Sequence, residues 1–251
     1  MKLIVTFSAN DNALKLPLNY QQMLQGFIYR NLLDPDFSRF LHNHGFLNGK
    51  RIFKLFVFSQ LFGKYSLLKE TKEIVFKGPV TWHVGSIVPE FIKGFGQSLL
   101  TSGHLELNGQ EMKVEEVTYR QDTPESEKCR IRMLSPITVY STYQNQNGKK
   151  ITQYFDPKDP AFTYLVEENI KKKYAAFYQK DTQDLFFKIQ PVRVTEKDKR
   201  ITRYKGFIIN GWGGIYVIEG SPNLLSFAES TGLGSKNSQG FGMFEVIHQQ
   251  L

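Results

Sequence analysis

The strand and helix patterns of this sequence follow one order of elements, and that order occurs twice along the chain. Each half begins with a strand of alternating apolar residues. A helix, two strand-like runs, a second helix and a final strand-like run follow it. In the first half these patterns occupy residues 2–8, 20–32, 54–62, 73–83, 89–100 and 104–119. In the second half they occupy residues 129–133, 156–178, 185–194, 201–218, 223–230 and 241–248. The order βαββαβ is that of the split-βαβ unit, so we predict an α+β protein of two tandem ferredoxin-like (RRM-like) domains.

The two halves are separated by a polar stretch, QDTPESEK at residues 121–128, which contains no residue of the hydrophobic set and is typical of a linker. We therefore expect an N-terminal domain of residues 1–120 and a C-terminal domain of residues 128–251. Each is close to the usual domain size of ~100–150 residues. We expect Pro17 and Asn19 to open the first helix.

The composition favours a polyanionic partner. Lys and Arg number 32 against 24 Asp and Glu, a net charge of +8, and the chain holds 21 Phe, 12 Tyr and 2 Trp on which bases can stack. Its one cysteine, Cys129, excludes an internal disulfide and disfavours a zinc cluster. No apolar run approaches the ~18 residues of a membrane span. We expect a cytoplasmic protein with no cofactor and no membrane partner.

The most informative motif is the glycine loop, GLGSKNSQGFG at residues 232–242. Glycines permit positive φ angles and let backbone N–H groups approach a phosphate closely. The loop follows a predicted helix and enters a predicted strand, which is the reverse of a dinucleotide-binding fingerprint. The alternative interpretation is that the loop is only a flexible connection. Because the chain is basic, we favour the interpretation that the loop contacts phosphate.

This loop, within STGLGSKNSQGFGMFEV, resembles the signature of the CRISPR repeat-RNA processing endoribonucleases of the RAMP superfamily. Four further stretches agree in order along the chain: LPLNYQQMLQGFIYRNL, FLH ending at His42, KLFVFSQLF from Lys54 and MLSPITVY from Met133. The resemblance implies two tandem ferredoxin-like domains. It also implies cleavage of CRISPR repeats in a long precursor transcript, without metal, to give guide RNAs.

Metal-free RNA cleavage requires a 2′-OH that loses its proton, a stabilised phosphorane and a protonated 5′-oxygen, and it leaves a 2′,3′-cyclic phosphate and a 5′-hydroxyl. Histidine suits both proton transfers near neutral pH. By the FLH match the resemblance assigns His42 as general acid or base, with His44 as its partner or substitute. It assigns Tyr29 as the helix tyrosine and Lys54 as the cation. Lys50 or Arg51 is the alternative cation.

The predicted RNA contacts are the basic and loop residues Lys50, Arg51, Lys149, Lys150, Gly232, Gly234, Lys236, Asn237, Ser238, Gly240, Phe241 and Gly242. Lys149 and Lys150 follow Asn147-Gly148, which indicates a hairpin tip. Residues 193–205 also indicate a hairpin tip. The lysine run at residues 171–173 is expected to be a solvated helix face.

Two other functions remain open at this point. A RAMP-type subunit that holds guide RNA in an effector complex without cutting it would have the same fold and charge. A protein-interaction role would use the basic surface mainly for solubility. The sequence also leaves open whether the protein forms a homodimer or assembles with other CRISPR effector subunits.

Overall fold

Each half of the chain is built on one antiparallel sheet. The computed structural model describes residues 1–121 and 126–247, here called the N-terminal half and the C-terminal half. The helices of the described residues are α1 (Gln21–Arg30), α2 (Pro35–Asn43), α3 (Pro89–Thr101), α4 (Pro160–Tyr178) and α5 (Pro222–Thr231). The strands of the N-terminal half are β1 (Lys2–Ala9), β2 (Ala13–Pro17), β3 (Phe46–Asn48), β4 (Arg51–Phe53), β5 (Phe56–Phe58), β6 (Phe62–Leu68), β7 (Glu73–Ser86), β8 (Leu105–Leu107) and β9 (Gln110–Arg120). Those of the C-terminal half are β10 (Lys128–Met133), β11 (Tyr140–Gln144), β12 (Lys150–Tyr154), β13 (Phe187–Arg193), β14 (Lys199–Tyr204), β15 (Phe207–Trp212), β16 (Ile215–Gly220) and β17 (Phe244–Ile247).

In the N-terminal sheet, β1 lies between β7 and β9, and β6 pairs with the other edge of β7. The helices α1 and α3 make the two crossovers and cover one face of this sheet. Phe27 of α1 and Phe95 of α3 both contact Trp82 of β7, with ring centroids 6.2 and 6.1 Å apart. Burial of these large rings against the sheet supplies much of the hydrophobic stabilisation of this half.

The C-terminal sheet repeats this arrangement in the order β17, β10, β16, β13. Its crossovers are α4 and α5, and Phe162 of α4 stacks on Tyr216 of β16 at 6.5 Å. The first to fourth strands of the unit are β1, β6, β7 and β9 in the N-terminal sheet and β10, β13, β16 and β17 in the C-terminal sheet. In both sheets the fourth strand lies beside the first, and the third strand lies between the first and the second. This is the ferredoxin-like order, so the prediction of an α+β fold with two tandem ferredoxin-like units is confirmed.

The two halves are joined by a buried ion pair. Lys2 Nζ of β1 lies 2.6 Å from Glu229 Oε1 of α5, and it also donates to the Phe244 carbonyl oxygen at 2.9 Å. Both side chains are at most 3% exposed. Removing one partner of such a pair leaves a buried charge uncompensated, so the pair ties the orientation of one half to that of the other.

Three local predictions differ from the structure. Pro17 ends β2 rather than opening a helix, because residues 13–17 pair with residues 73–77 of β7. The strand predicted over residues 54–62 is limited to β5, and the longer strand beside β7 is β6, which was not predicted because all of its residues are exposed and no apolar alternation marks it. The hairpin tip expected within residues 193–205 lies between β14 and β15, at Lys205 and Gly206.

Parts of two further predictions lie outside the described residues. These are residues 122–125 of the expected linker and His248 of the expected last strand. Residues 244–247 of that strand form β17. Among the helices of the described ranges, none is long and apolar enough to cross a lipid bilayer.

Candidate active site

Two short helices bring Tyr29 and His42 together. The Asp34 side chain caps α2 by accepting from the backbone N–H groups of Asp36 and Phe37, at 2.8 and 3.1 Å, and Pro35 occupies the first turn. The helix therefore begins there and presents His42, which is exposed, in its last turn. The rings of Tyr29 and His42 meet edge to face, with centroids 5.2 Å apart.

Lys54 completes this cluster. Its Nζ donates to the His42 carbonyl oxygen at 2.8 Å, and burial lowers the pKa of the Lys54 amine. The close approach depends on Gly45, whose φ is +71°. A Cβ at this position would lie 2.6 Å from the Phe53 carbonyl oxygen and 3.2 Å from Lys54 Cδ. We call Tyr29, His42 and Lys54 the catalytic cluster.

The hydrogen bonds of the cluster indicate its proton states. His42 Nδ1 lies 2.8 Å from Asn43 Oδ1, an atom that only accepts, so this contact uses the Nδ1–H tautomer and leaves the lone pair of Nε2 free in the neutral ring. Burial, and to a smaller extent the nearby Tyr204, raise the pKa of Tyr29, which keeps its phenol protonated at neutral pH.

The alternative residues lie elsewhere. His44 follows the end of α2 and is exposed, and its side chain has no hydrogen bond, ion pair or ring contact with any residue that the structure describes. Lys50 is exposed at the turn between β3 and β4. Arg51 lines a cavity beside the cluster. Of the candidate cations, Lys54 is thus the one that contacts His42.

The glycine loop is compact and strongly bonded. Asn237 Nδ2 donates to the carbonyl oxygens of Leu233 and Phe241, both at 3.0 Å. The glycines of the loop all have positive φ, and a Cβ on Gly242 would overlap the Leu233 carbonyl oxygen, with one on Gly240 2.6 Å from the Phe58 ring. The pattern GLGSKNSQGFG is therefore required by a tight backbone, and residues 235–239 are left half-buried at its outer side.

Lys173 holds this loop from inside, contrary to the expectation of a solvated helix face. Its Nζ donates to the Gly232 carbonyl oxygen at 2.5 Å and to Asn237 Oδ1 at 3.1 Å. It is 2% exposed, and burial lowers its pKa to about 7. The neighbouring Lys171 and Lys172 instead pair with Glu167 and Glu168 at 2.8 and 2.5 Å, so only part of the run faces solvent.

A cavity of about 400 Å³ lies between the catalytic cluster and the glycine loop. Four cations line it: Arg51, Lys54, Lys173 and Lys236. Its remaining wall consists of residues 52, 53, 55 and 56, Tyr140, Asn169, Thr231 and residues 234, 235 and 237–239. Lys236 Nζ lies over the Tyr140 ring, 5.1 Å from its centroid.

The other predicted RNA contacts differ in position. Lys149 and Lys150 lie exposed at the β11–β12 hairpin tip, as the sequence predicts, and outside the cavity lining. Phe241 is 1% exposed and packs with Tyr204 and Ile209, so its predicted RNA contact is limited to the backbone. The Asn237 side chain is committed to the loop itself.

Several residues of the site were not identified from the sequence. Gln25 of α1 donates to the Ser238 carbonyl oxygen at 2.7 Å and accepts from the Tyr204 hydroxyl, which links α1 to the C-terminal half. Asn169 and Lys173 are polar residues on the buried face of α4, among Phe162, Val166 and Ile170. For Asn169 and Lys173 the sequence did contain a signal, because each is a polar residue at a position where the helical periodicity calls for an apolar one.

Clusters of metal-ligating side chains are absent from the part of the chain that the structure describes. There, no three side chains of His, Cys, Asp or Glu lie close enough together to hold an ion.

Known proteins match nearly the whole chain. Residues 15–118 match the family model of the N-terminal part of CRISPR-associated protein Cas6, and residues 118–246 match that of its C-terminal part. The chain is 28% identical over 240 residues to CRISPR-associated endoribonuclease Cas6 1 of Methanocaldococcus jannaschii, covering 93% of this chain and 88% of that protein. It is 25% identical over 246 residues to the Cas6 endoribonuclease of Pyrococcus furiosus, covering 94% and 85%.

The fold agrees with this match. A solved structure described as CRISPR associated protein Cas6 superposes with a TM-score of 0.77 at 26% identity, over 99% of both chains. The family models together cover almost all of the sequence, including α1, the catalytic cluster and the glycine loop. The chain therefore belongs to the Cas6 family of CRISPR-associated proteins.

Proposed function

We propose that this chain is an endoribonuclease that binds CRISPR repeat RNA and cuts the precursor transcript into guide RNAs. The observation that carries the proposal is the catalytic cluster at the edge of a cation-lined cavity, where Lys54 belongs to both. A histidine beside a lysine and a tyrosine provides the proton transfer and the positive charge that cleavage of a phosphodiester requires.

Cleavage proceeds by attack of the 2′-OH on the adjacent phosphorus, without metal. His42 Nε2, whose lone pair is free in the neutral ring, accepts the proton of the 2′-OH, and the departing 5′-oxygen takes up a proton from water. Lys54 stabilises the negative charge of the phosphorane. Tyr29, which burial keeps protonated, donates a hydrogen bond that orients the phosphate. The products are a 2′,3′-cyclic phosphate and a 5′-hydroxyl.

RNA binding uses the basic surface around the cluster. Lys50 and Arg51 of the β3–β4 hairpin and Lys236 of the glycine loop neutralise phosphates, and Lys149 and Lys150 form a second contact. Backbone groups of residues 232–242 bind the RNA backbone, with their shape maintained by Asn237 and Lys173.

We also divide the chain into domains of residues 1–120 and 128–251, since the strands of the two sheets lie between residues 2 and 120 and between residues 128 and 247.

A repeat RNA with a single 2′-deoxy nucleotide at the cut site tests the mechanism. The protein is incubated in EDTA with this RNA and with the unmodified repeat of its own host. We expect one defined cut of the unmodified RNA, with a cyclic phosphate end, and equal binding but no cut of the deoxy RNA. Cleavage that requires added metal, or that continues at the deoxy position, would contradict the mechanism. Tight binding with no cut of either RNA would favour a subunit that only holds guide RNA.

A further inference from the structure

The cavity beside the catalytic cluster contains a buried amide that lacks a partner. Asn169 is 7% exposed, and its Oδ1 accepts no hydrogen bond from any residue that the structure describes. Gln239 Oε1, which belongs to another residue of the cavity lining, is also buried and has no donor among the described residues. Buried polar atoms are satisfied in most proteins, and an exception calls for an explanation such as a ligand.

We propose that this cavity binds one unpaired base of the repeat RNA close to the cut, and that Asn169 recognises the edge of that base. The inference rests on the proposed function, because the occupant is taken to be the substrate RNA. Asn169 lies one helical turn before Lys173, on the face of α4 that Phe162 and Val166 anchor in the core. Its position is therefore set by the fold before RNA arrives.

The walls suit a nucleotide. The cavity of about 400 Å³ falls within the usual range of small-ligand sites, ~300–1,000 Å³. Cations line it, and neither Asp nor Glu belongs to its lining among the described residues. A phosphate at the mouth is attracted by Arg51 and by Lys236, whose ammonium lies over the ring of the half-buried Tyr140.

The cavity lies directly beside the catalytic cluster. Lys54 lines the cavity and donates to the His42 carbonyl oxygen, so a nucleotide in the cavity lies next to the phosphate at the catalytic cluster. RNA proteins read sequence mainly from unstacked bases whose edges are exposed. A base held here therefore contributes to the choice of the cut position.

The amide chemistry indicates the class of base. An Asn side chain offers one acceptor and one donor group side by side, which match the amino group and the neighbouring ring nitrogen of adenine or of cytosine. A carboxylate only accepts, so Asn169→Asp is expected to favour guanine, whose N1–H and amino group are both donors.

The experiment measures binding of a repeat RNA that cannot be cut because of a 2′-deoxy nucleotide at the cut site. A panel of such RNAs carries one abasic nucleotide at each position in turn. The proteins are the wild type, Asn169→Leu and the control Asn223→Leu, which changes an exposed amide of α5. A second set replaces the base at the responsive position with each of the other three.

We expect one position near the cut where the abasic change weakens binding by the wild type and by Asn223→Leu about tenfold, and leaves binding by Asn169→Leu unchanged. At that position the wild type should prefer a base with an amino group beside a ring-nitrogen acceptor, adenine or cytosine, and Asn169→Asp should prefer guanine. The proposal is overturned if Asn169→Leu responds to every abasic position as the wild type does. If Asn169→Leu does not fold, unaltered base preference in Asn169→Asp overturns it. Failure of the proposed function is separate, since the wild type would then not cut the unmodified repeat.

Discussion

The catalytic cluster and the glycine loop are built in opposite ways. His42 is exposed at the end of a nine-residue helix, where its ring contacts the Tyr29 ring and the Asn43 side chain and its carbonyl oxygen accepts from Lys54. The glycine loop is buried at both ends, and Asn237 and Lys173 bind its backbone from inside. Groups that exchange protons need a free lone pair and access to solvent, whereas a surface that grips RNA gains affinity when its shape exists beforehand. Changes in the cluster are therefore expected to affect the rate of cleavage, and changes in the loop are expected to affect stability and binding.

The largest effect should come from His42→Ala. Removal of a general acid or base costs about 10²–10⁴-fold in rate, so cleavage should fall by that factor while RNA affinity changes little. Single-turnover cleavage and binding of the same repeat RNA measure the two quantities. His44→Ala is the matched control and should stay within about threefold of the wild type. A larger loss in His44→Ala would move the reacting imidazole to His44.

Lys54→Met should give the next largest effect. Loss of a cation that stabilises the phosphorane costs about 10²-fold, and the effect should appear in the rate at saturating protein rather than in affinity. Lys50→Met removes a lysine at the exposed hairpin turn and should instead weaken RNA binding slightly. This loss of affinity should be larger at low salt, where the charge is screened less. Equal losses of rate in the two variants would show that Lys54 acts only as one more surface charge.

Gly242→Ala tests the loop side of the comparison. The Cβ would overlap the Leu233 carbonyl oxygen at a φ of +81°, so steric overlap and backbone strain together should cost about 3 kcal/mol. For a chain of this size that lowers the Tm by about 10 °C. Gly148→Ala is the control, since its φ is +71° but no atom lies within 4 Å of the Cβ, and only about 1 kcal/mol of strain is expected. Thermal unfolding of both variants decides whether crowding, and not φ alone, requires glycine.

The smallest effect concerns pH and Lys173. Its pKa is about 7 in the folded protein and ~10.4 when unfolded, so between these values the unfolded state binds more protons and stability rises with pH. Below pH 7 both states are protonated and the cost of burying the charge is constant. From pH 7 to pH 9 the wild type and the control Lys172→Met should gain about 2 kcal/mol relative to Lys173→Met, measured by urea unfolding. Parallel curves for all three proteins would show that Lys173 does not titrate in this range.

The predictions from sequence succeeded where a pattern is local. The periodicity of α3 and α5 and the alternation of β1 are determined by neighbouring residues, and the structure confirms them. The ferredoxin-like fold followed from the order of such elements along the chain. β2 was missed because its pairing partner, β7, lies about sixty residues later. Periodicity contains no information on such distant partners.

The candidate site could likewise be predicted only in part. The family resemblance selected Tyr29, His42 and Lys54, which the structure brings together, although their roles stay predictions. The inward orientation of the Asn237 side chain could not be foreseen, because its partner Lys173 lies 64 residues earlier. For the same reason the sequence predicts a solvated side chain for Lys173, the last lysine of the run at residues 171–173.

The link from Gln25 to Tyr204 has an evolutionary consequence. These two side chains bind each other across the halves, while the third member, Ser238, takes part only through its backbone carbonyl oxygen. Substitution at 238 is therefore unconstrained by this link. A change at 25 leaves the Tyr204 hydroxyl without its acceptor, so drift at these two positions is expected to be correlated among relatives, as paired replacements rather than single ones.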